Sequence, residues 1–216
     1  MSIADEIRAV LQEVGSEMTI RKPGGTLVTG EFLDDNSHTE HTNPMIGAFF
    51  FDLNLQAPTA AVVGDTLIWG SDPHQAEVIL TAIAPQMFEN EVVEYIASGY
   101  VVNAKGAFWK YDQDAVANEA NKYDPVPAWV QLYPGVEIHG AVMDQMYRSM
   151  AKPAANESMD VSVIRLQLFI SSYFTDIAMG MQWRSAVGGV VYKVDHIEDN
   201  NFIGIRSVFL TEDTRA

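Results

Sequence analysis

Residues 77–95, EVILTAIAPQMFENEVVEY, lie over residues 191–209, VYKVDHIEDNNFIGIRSVF, when the chain is shifted against itself by 114 positions (191 − 77 = 114). Leu80 then falls on Val194, Ile83 on Ile197, Phe88 on Phe202 and Tyr95 on Phe209. Each stretch consists of two runs rich in β-branched and aromatic residues around a short polar break, the pattern of a β-hairpin. Each also follows a glycine-bearing turn and a tryptophan strand, with Trp69 in TLIWG and Trp183 in MQWRSA. Two explanations stand side by side. Hairpins with four-residue turns superimpose easily, or one unit has been duplicated, giving two barrels of one design, each on the order of 90 residues.

Outward from these hairpins the signals are mostly β. MTIRKPGGTLVTGEFL reads as two strands around Pro23, Gly24 and Gly25. AFFFDLNLQA, TLIWG, AEVILTAIA and VVEYIASGYVVN follow as strands, and PQMFENE is expected to break the last two at Pro85 and Asn90, with Phe88 folding back onto the barrel. Residues 30–46, GEFLDDNSHTEHTNPMI, carry no period and predict a long exposed loop. In the second half, VSVIRLQLFISSYF, MGMQWRSA, GGVVYKVDHIED and NFIGIRSVFLTED are strands, while MDQMYRSMA puts Met143, Met146, Tyr147 and Met150 on one helical face. The helical signal is clearest at the start. Ile3, Ile7, Val10, Leu11 and Val14 share one face, Ser2 can cap it, and Gly15 supplies a left-handed residue to end it.

The expected fold is therefore mostly β: two small antiparallel β-barrels or sandwiches with a short N-terminal helix. The divisions are residues 1–16 for the helix, 17–110 for the first barrel, 111–130 for a linker and 131–216 for the second β domain. The linker rests on YDQDAVANEANKYDPVPA, where alternation lapses and Pro125 and Pro127 stiffen the chain.

Composition narrows the function. The 216 residues include 48% hydrophobic and 19% charged, ample for buried cores and unlike a disordered chain. Net charge is −16, and no Lys/Arg run forms a patch for phosphates, so specific nucleic-acid binding is not expected. No run approaches the ~18 apolar residues of a membrane span, and MSIADEIRAV has acids where a signal peptide has bases, which predicts a protein that stays in the cytoplasm where it is made. Zero cysteines exclude disulfides and thiolate metal sites.

Nor do catalytic motifs appear. GxSxG, a Walker glycine loop, HExxH and a dinucleotide fingerprint are all missing. His38, Glu40 and His41 in HTEH, downstream of Asp34 and Asp35, could approach a metal, but two histidines three apart on a loop impose no geometry. His74, His139 and His196 have no partner visible by spacing and read as turn or surface residues. No catalytic residue, cofactor or metal is therefore predicted. The surface positions singled out are interface candidates: Ile3, Ile7, Val10 and Leu11 of the helix and Asp34, Asp35, His38, His41 and Met45 of the loop. Burying several such apolar side chains is worth about 1.5 to 3 kcal/mol each before ordering costs, enough to matter for assembly.

Three segments, EIRAVLQEVGSEMTIRKPGGT (6–26), PQMFENEVVEYIASGYVVNAKG (85–106) and FLTEDTR (209–215), together resemble head-closure and head-tail joining proteins of tailed bacteriophages. That resemblance implies a β-barrel neck subunit, free of cofactor, in a ring of six or twelve copies between a portal-adaptor complex and the tail. It implies a protein made in the host cytoplasm, located in the virion and passing DNA through its lumen. The HTEH insert and the few basic residues in the loop depart from the family pattern. A tail-side ring such as a terminator and a small-ligand β-barrel enzyme are the alternatives.

Overall fold

A computed structural model of the chain describes residues 3–35, 49–113, 115, 127–144 and 165–213. It opens with helix α1 (Ile3–Val14), then strands β1 (Ser16–Arg21), β2 (Leu27–Asp35), β3 (Phe50–Gln56), β4 (Thr66–Trp69), β5 (Ala76–Phe88) and β6 (Glu91–Val101). These six close into an antiparallel barrel in the order β1-β2-β3-β6-β5-β4, with β4 returning to β1. Strands β7 (Ala104–Asp112), β8 (Ala128–Gln131), β9 (Ile138–Asp144), β10 (Arg165–Ser171), β11 (Gln182–Ser185), β12 (Val191–Phe202) and β13 (Ile205–Glu212) form the second sheet. Its order is β11-β12-β13-β10-β9-β7, and a β11–β7 pairing closes it into a second six-stranded barrel. Strand β8 is an addition, pairing with Trp109–Asp112 of β7 beyond the Ala104–Gly106 segment that pairs with β9.

The two barrels share one topology. Taken in chain order, the six barrel strands of each run first, second, third, sixth, fifth, fourth, and the fourth rejoins the first. The hairpins matched in the sequence are the fifth and sixth strands of each. β5 ends at Phe88 and β12 at Phe202, and β6 begins at Glu91 and β13 at Ile205, each pair 114 apart. A register shift after Leu80 in β5 recurs after Val194 in β12, also 114 on. Trp69 and Trp183 both stand on the fourth strand. The match ends at the partner strands: Leu80 faces Gly99 whereas Val194 faces Leu210, not position 213.

Side chains fill both barrels. Met18, Ile20, Leu33, Leu53, Leu67 and Trp69 pack inside the first, and Phe108, Ile138, Leu168, Trp183, Val194 and Leu210 inside the second. Strand alternation sends Val78 and Leu80 inward and Ile79 outward, yet Ile79 is also buried. It belongs to a third cluster with Tyr100, Ala141, Phe169 and Ile205, which joins the barrels. The near-continuous apolar runs VIL (78–80) and LFI (168–170) follow from burial on both strand faces.

Several sequence expectations need correction. The passage between barrels is Val102–Asn103, not 111–130: β7 begins at Ala104 and pairs wholly within the second sheet, as does β8. The connector is pinned by a two-way clamp, in which Asn103 Nδ2 donates to Val142 O (2.9 Å) and Val142 N donates to Asn103 Oδ1 (2.6 Å). Pro85 lies inside β5, because β4 pairs with that strand only at Ala76–Ile79 and leaves its far edge free where a proline lacks only an outward N–H. The break is the two-residue turn Glu89–Asn90, both at positive φ (46° and 70°), and Phe88 is exposed instead of folding back. Met143 lies in β9 and packs at the junction between barrels; the rest of the expected Met-faced helix falls outside the described residues. Residues 30–35 of the expected loop continue β2, and 36–46 fall outside the described residues. Gly15 does end α1, but through close approach: a Cβ there would come 2.5 Å from Leu11 O and 2.8 Å from Leu33 O, and its φ is not left-handed.

Candidate functional site

Three charged side chains and one imidazole, from four strands, meet where the barrels join. Glu77 leaves β5, Arg21 ends β1, Lys105 lies on β7 and His139 on β9. Glu77 Oε1 accepts from Lys105 Nζ (2.7 Å), and Oε2 from Arg21 Nη1 (3.3 Å) and His139 Nδ1 (3.0 Å). Arg21 Nη1 also lies 3.1 Å from His139 Nε2, which approaches Glu137 Oε2 at 3.3 Å. A neutral imidazole, with one ring nitrogen donating and the other accepting, stands among these groups, and Arg21 Nη1 lies nearer to its Nδ1, at 2.9 Å.

Environment favours that neutral form. Burial, reinforced by the Arg21 charge, pushes His139 below the ordinary imidazole value despite Glu77. Burial alone would raise Glu77, but its bond to Lys105 and the charges of Lys105, Arg21 and His139 outweigh it and hold the carboxyl below its usual value. The adjoining cavity, lined by Arg21, Thr66, Ile79, His139, Ser171 and Phe174, is only about 20 Å³. That is room for one water, not a substrate, so the cluster acts as a polar clasp between barrels. Spacing in the sequence could not reveal it, since Arg21 and His139 are 118 residues apart. The expectation of an isolated surface His139 is corrected accordingly.

The sequence-predicted interface residues divide by face. On α1, Leu11 is buried against the first barrel and Arg8 Nε donates to Ala57 O (2.8 Å), so the helix docks on its own barrel. Ile7 is half-buried, whereas Ile3, Val10 and Val14 are exposed by 42%, 56% and 76%. The spacing 3, 7, 10, 14 makes one apolar stripe whose outer edge has no cover in the described chain, and the exposed Glu6 and Glu13 flank it. Asp34 is exposed and Asp35 half-buried at the end of β2; His38, His41 and Met45 lie outside the described residues.

A second surface feature was not anticipated. On the outer face of β8, β7 and β11, register places Trp129 opposite Tyr111, and Trp109 between Gln131 and Gln182. The Arg184 guanidinium stacks 4.3 Å above Trp109 and 6.0 Å from Trp129, held by bonds from Nε (3.2 Å) and Nη2 (2.9 Å) to Gln182 Oε1. No described carboxylate pairs with it. The open groove alongside, about 420 Å³, includes Trp109, Gln131, Val136 and Glu137. Its signal in the sequence was FWKY (108–111), where inward Phe108 alternates with outward Trp109 and Tyr111.

No family model matches the chain, and no curated protein does. Among solved structures, it is similar to MrkH, described as a "c-di-GMP dependence transcription regulatory factor", at 10% identity and a TM-score of 0.23, covering 99% of this chain and 84% of that one. The apo form of MrkH from K. pneumonia gives a TM-score of 0.24 at 10% identity, with 99% and 87% covered. Such TM-scores assign this chain neither that protein's arrangement nor its ligand. Among the described residues, no group of three His, Asp or Glu side chains is placed to hold a metal, and no helix is long and apolar enough to cross a membrane.

Proposed function

We propose that the chain is a structural subunit of a tailed-phage neck, forming a ring that joins the head to the tail and lets DNA pass. The observation that carries the assembly part is the exposed Ile3–Val10–Val14 edge on a helix already anchored by Leu11 and Arg8. A fixed helix presenting apolar side chains to water is suited to a partner. The neck position itself rests on the sequence resemblance. Filled interiors in both barrels weigh against the small-ligand barrel, since Trp69 and Trp183 occupy the space a ligand would need. A tail-side ring would use the same surfaces.

Net charge of −16 per copy suits passage of a duplex, because like charge lining a channel keeps DNA from adhering. Salt confines the effect to within about 8 Å of the wall. The test is a phage carrying this chain with residues 1–14 deleted. Complete heads and complete tails that remain unjoined are expected; normal yields of joined, infectious particles would overturn the assignment.

A further inference from the structure

The ring reading leaves open which surface of the neighbour receives α1, and the second barrel offers one of matching character. The exposed α1 edge combines apolar Ile3, Val10 and Val14 with acidic Glu6 and Glu13 on its flank. The face on β7, β8 and β11 combines Trp109, Tyr111 and Trp129 with Arg184, a guanidinium that no described acid neutralises in a chain carrying 29 acids. Its pose is set in advance by Trp109 below and Gln182 beside it, so little ordering is needed for it to meet an arriving carboxylate. Tyr111, whose ring packs against Trp129, is 53% exposed, which leaves apolar area beside the cation for an aliphatic stripe. Tryptophan, tyrosine and arginine are also the residue types that dominate binding energy at protein interfaces.

The helix belongs to the first barrel and the aromatic face to the second, so the two patches are different surfaces of one chain. A contact between different patches is heterologous, and repeating it generates a ring or a filament, not a closed pair. We propose that subunits join head to tail, the α1 edge of one copy seating on the Trp109–Arg184 face of the next. This rests on the ring reading above and supplies its contact.

Two variants of the full chain test it, each spoiling one patch: Val10→Glu on the helix edge and Arg184→Glu on the face. Val14→Glu serves as a second helix variant, and circular dichroism checks that each is folded. Masses are read by light scattering. Wild type should assemble, and each variant alone should be monomeric. An equimolar mixture of Val10→Glu and Arg184→Glu should give a one-to-one heterodimer and nothing larger, because only one intact helix and one intact face remain to meet. Variants that assemble as wild type does, or a mixture that stays monomeric, would overturn this contact while leaving the ring standing. A wild type that is monomeric throughout would overturn both.

Discussion

Truncating Phe169 to alanine should destabilise the whole molecule, although Phe169 points out of its own barrel. On β10 its neighbours Leu168 and Ile170 face the interior, and Phe169 faces the first barrel, where its ring centroid lies 4.8 Å from that of Tyr100. Tyr100 in turn stacks on Phe50 at 4.7 Å, so removal of one ring opens a hole in a three-ring column spanning both barrels. Phe169 is 6% exposed, and a buried Phe→Ala change costs about 3 to 5 kcal/mol through lost transfer energy and the cavity left behind. For a chain of this length, each kcal/mol lowers the melting temperature by roughly 2–4 °C, so a fall of roughly 6 to 20 °C is expected. Urea unfolding followed by tryptophan fluorescence reads both barrels, through Trp69 in one and Trp183 in the other. Wild type should unfold in one transition and the variant in two, since the column couples the barrels. If Phe169→Ala changed stability by less than about 0.5 kcal/mol, the effect of a surface substitution, the barrels would not be packed through this cluster.

Acidification should loosen the same junction. His139 has a depressed folded value, so the unfolded chain takes up a proton first, and stability falls as pH drops through ~6.5, the unperturbed imidazole value. Glu77, also depressed, adds a further loss as pH falls through its unfolded value of 4.5. Melting temperatures between pH 7.5 and 5.5 should decline in wild type and flatten in His139→Gln; equal slopes would remove His139 from the clasp. On α1, Leu11→Ala should cost about 2 kcal/mol or more and Val14→Ala almost nothing in the monomer, measured by urea unfolding, since Leu11 is 7% exposed and Val14 76%. Gly106→Ala should destabilise by about 1–3 kcal/mol in the same assay, because its Cβ would run into Arg184 O and come 2.7 Å from Trp183 Cζ2.

Local patterns made much of the fold legible. Turn residues Pro23–Gly25, the five-residue stripe on α1 and the repeated hairpin each carry their signal within a few residues or at a fixed offset. The lapse in alternation does not mark the domain boundary, because the strands on either side of it, β7 and β8, both belong to the second sheet, while the junction at Val102–Asn103 has no composition signal. Pro85 misled for a related reason: whether a strand edge is free depends on where its neighbour stops, which is a tertiary fact. At the candidate site, the helix edge could be read from period alone. The clasp of Arg21, Glu77, Lys105 and His139 could not, since only barrel closure brings β1, β5, β7 and β9 together. Arg184 on Trp109 was hidden similarly, as β11 reaches β7 only through the closing pairing.

Electron cryomicroscopy of purified virions, with the chain located by fitting its two barrels into density, tests the proposed role most directly. A ring of copies at the head–tail junction around the DNA channel, each α1 against the second barrel of its neighbour, is the expected result. Virions without this chain, or copies lying elsewhere in the particle, would contradict it.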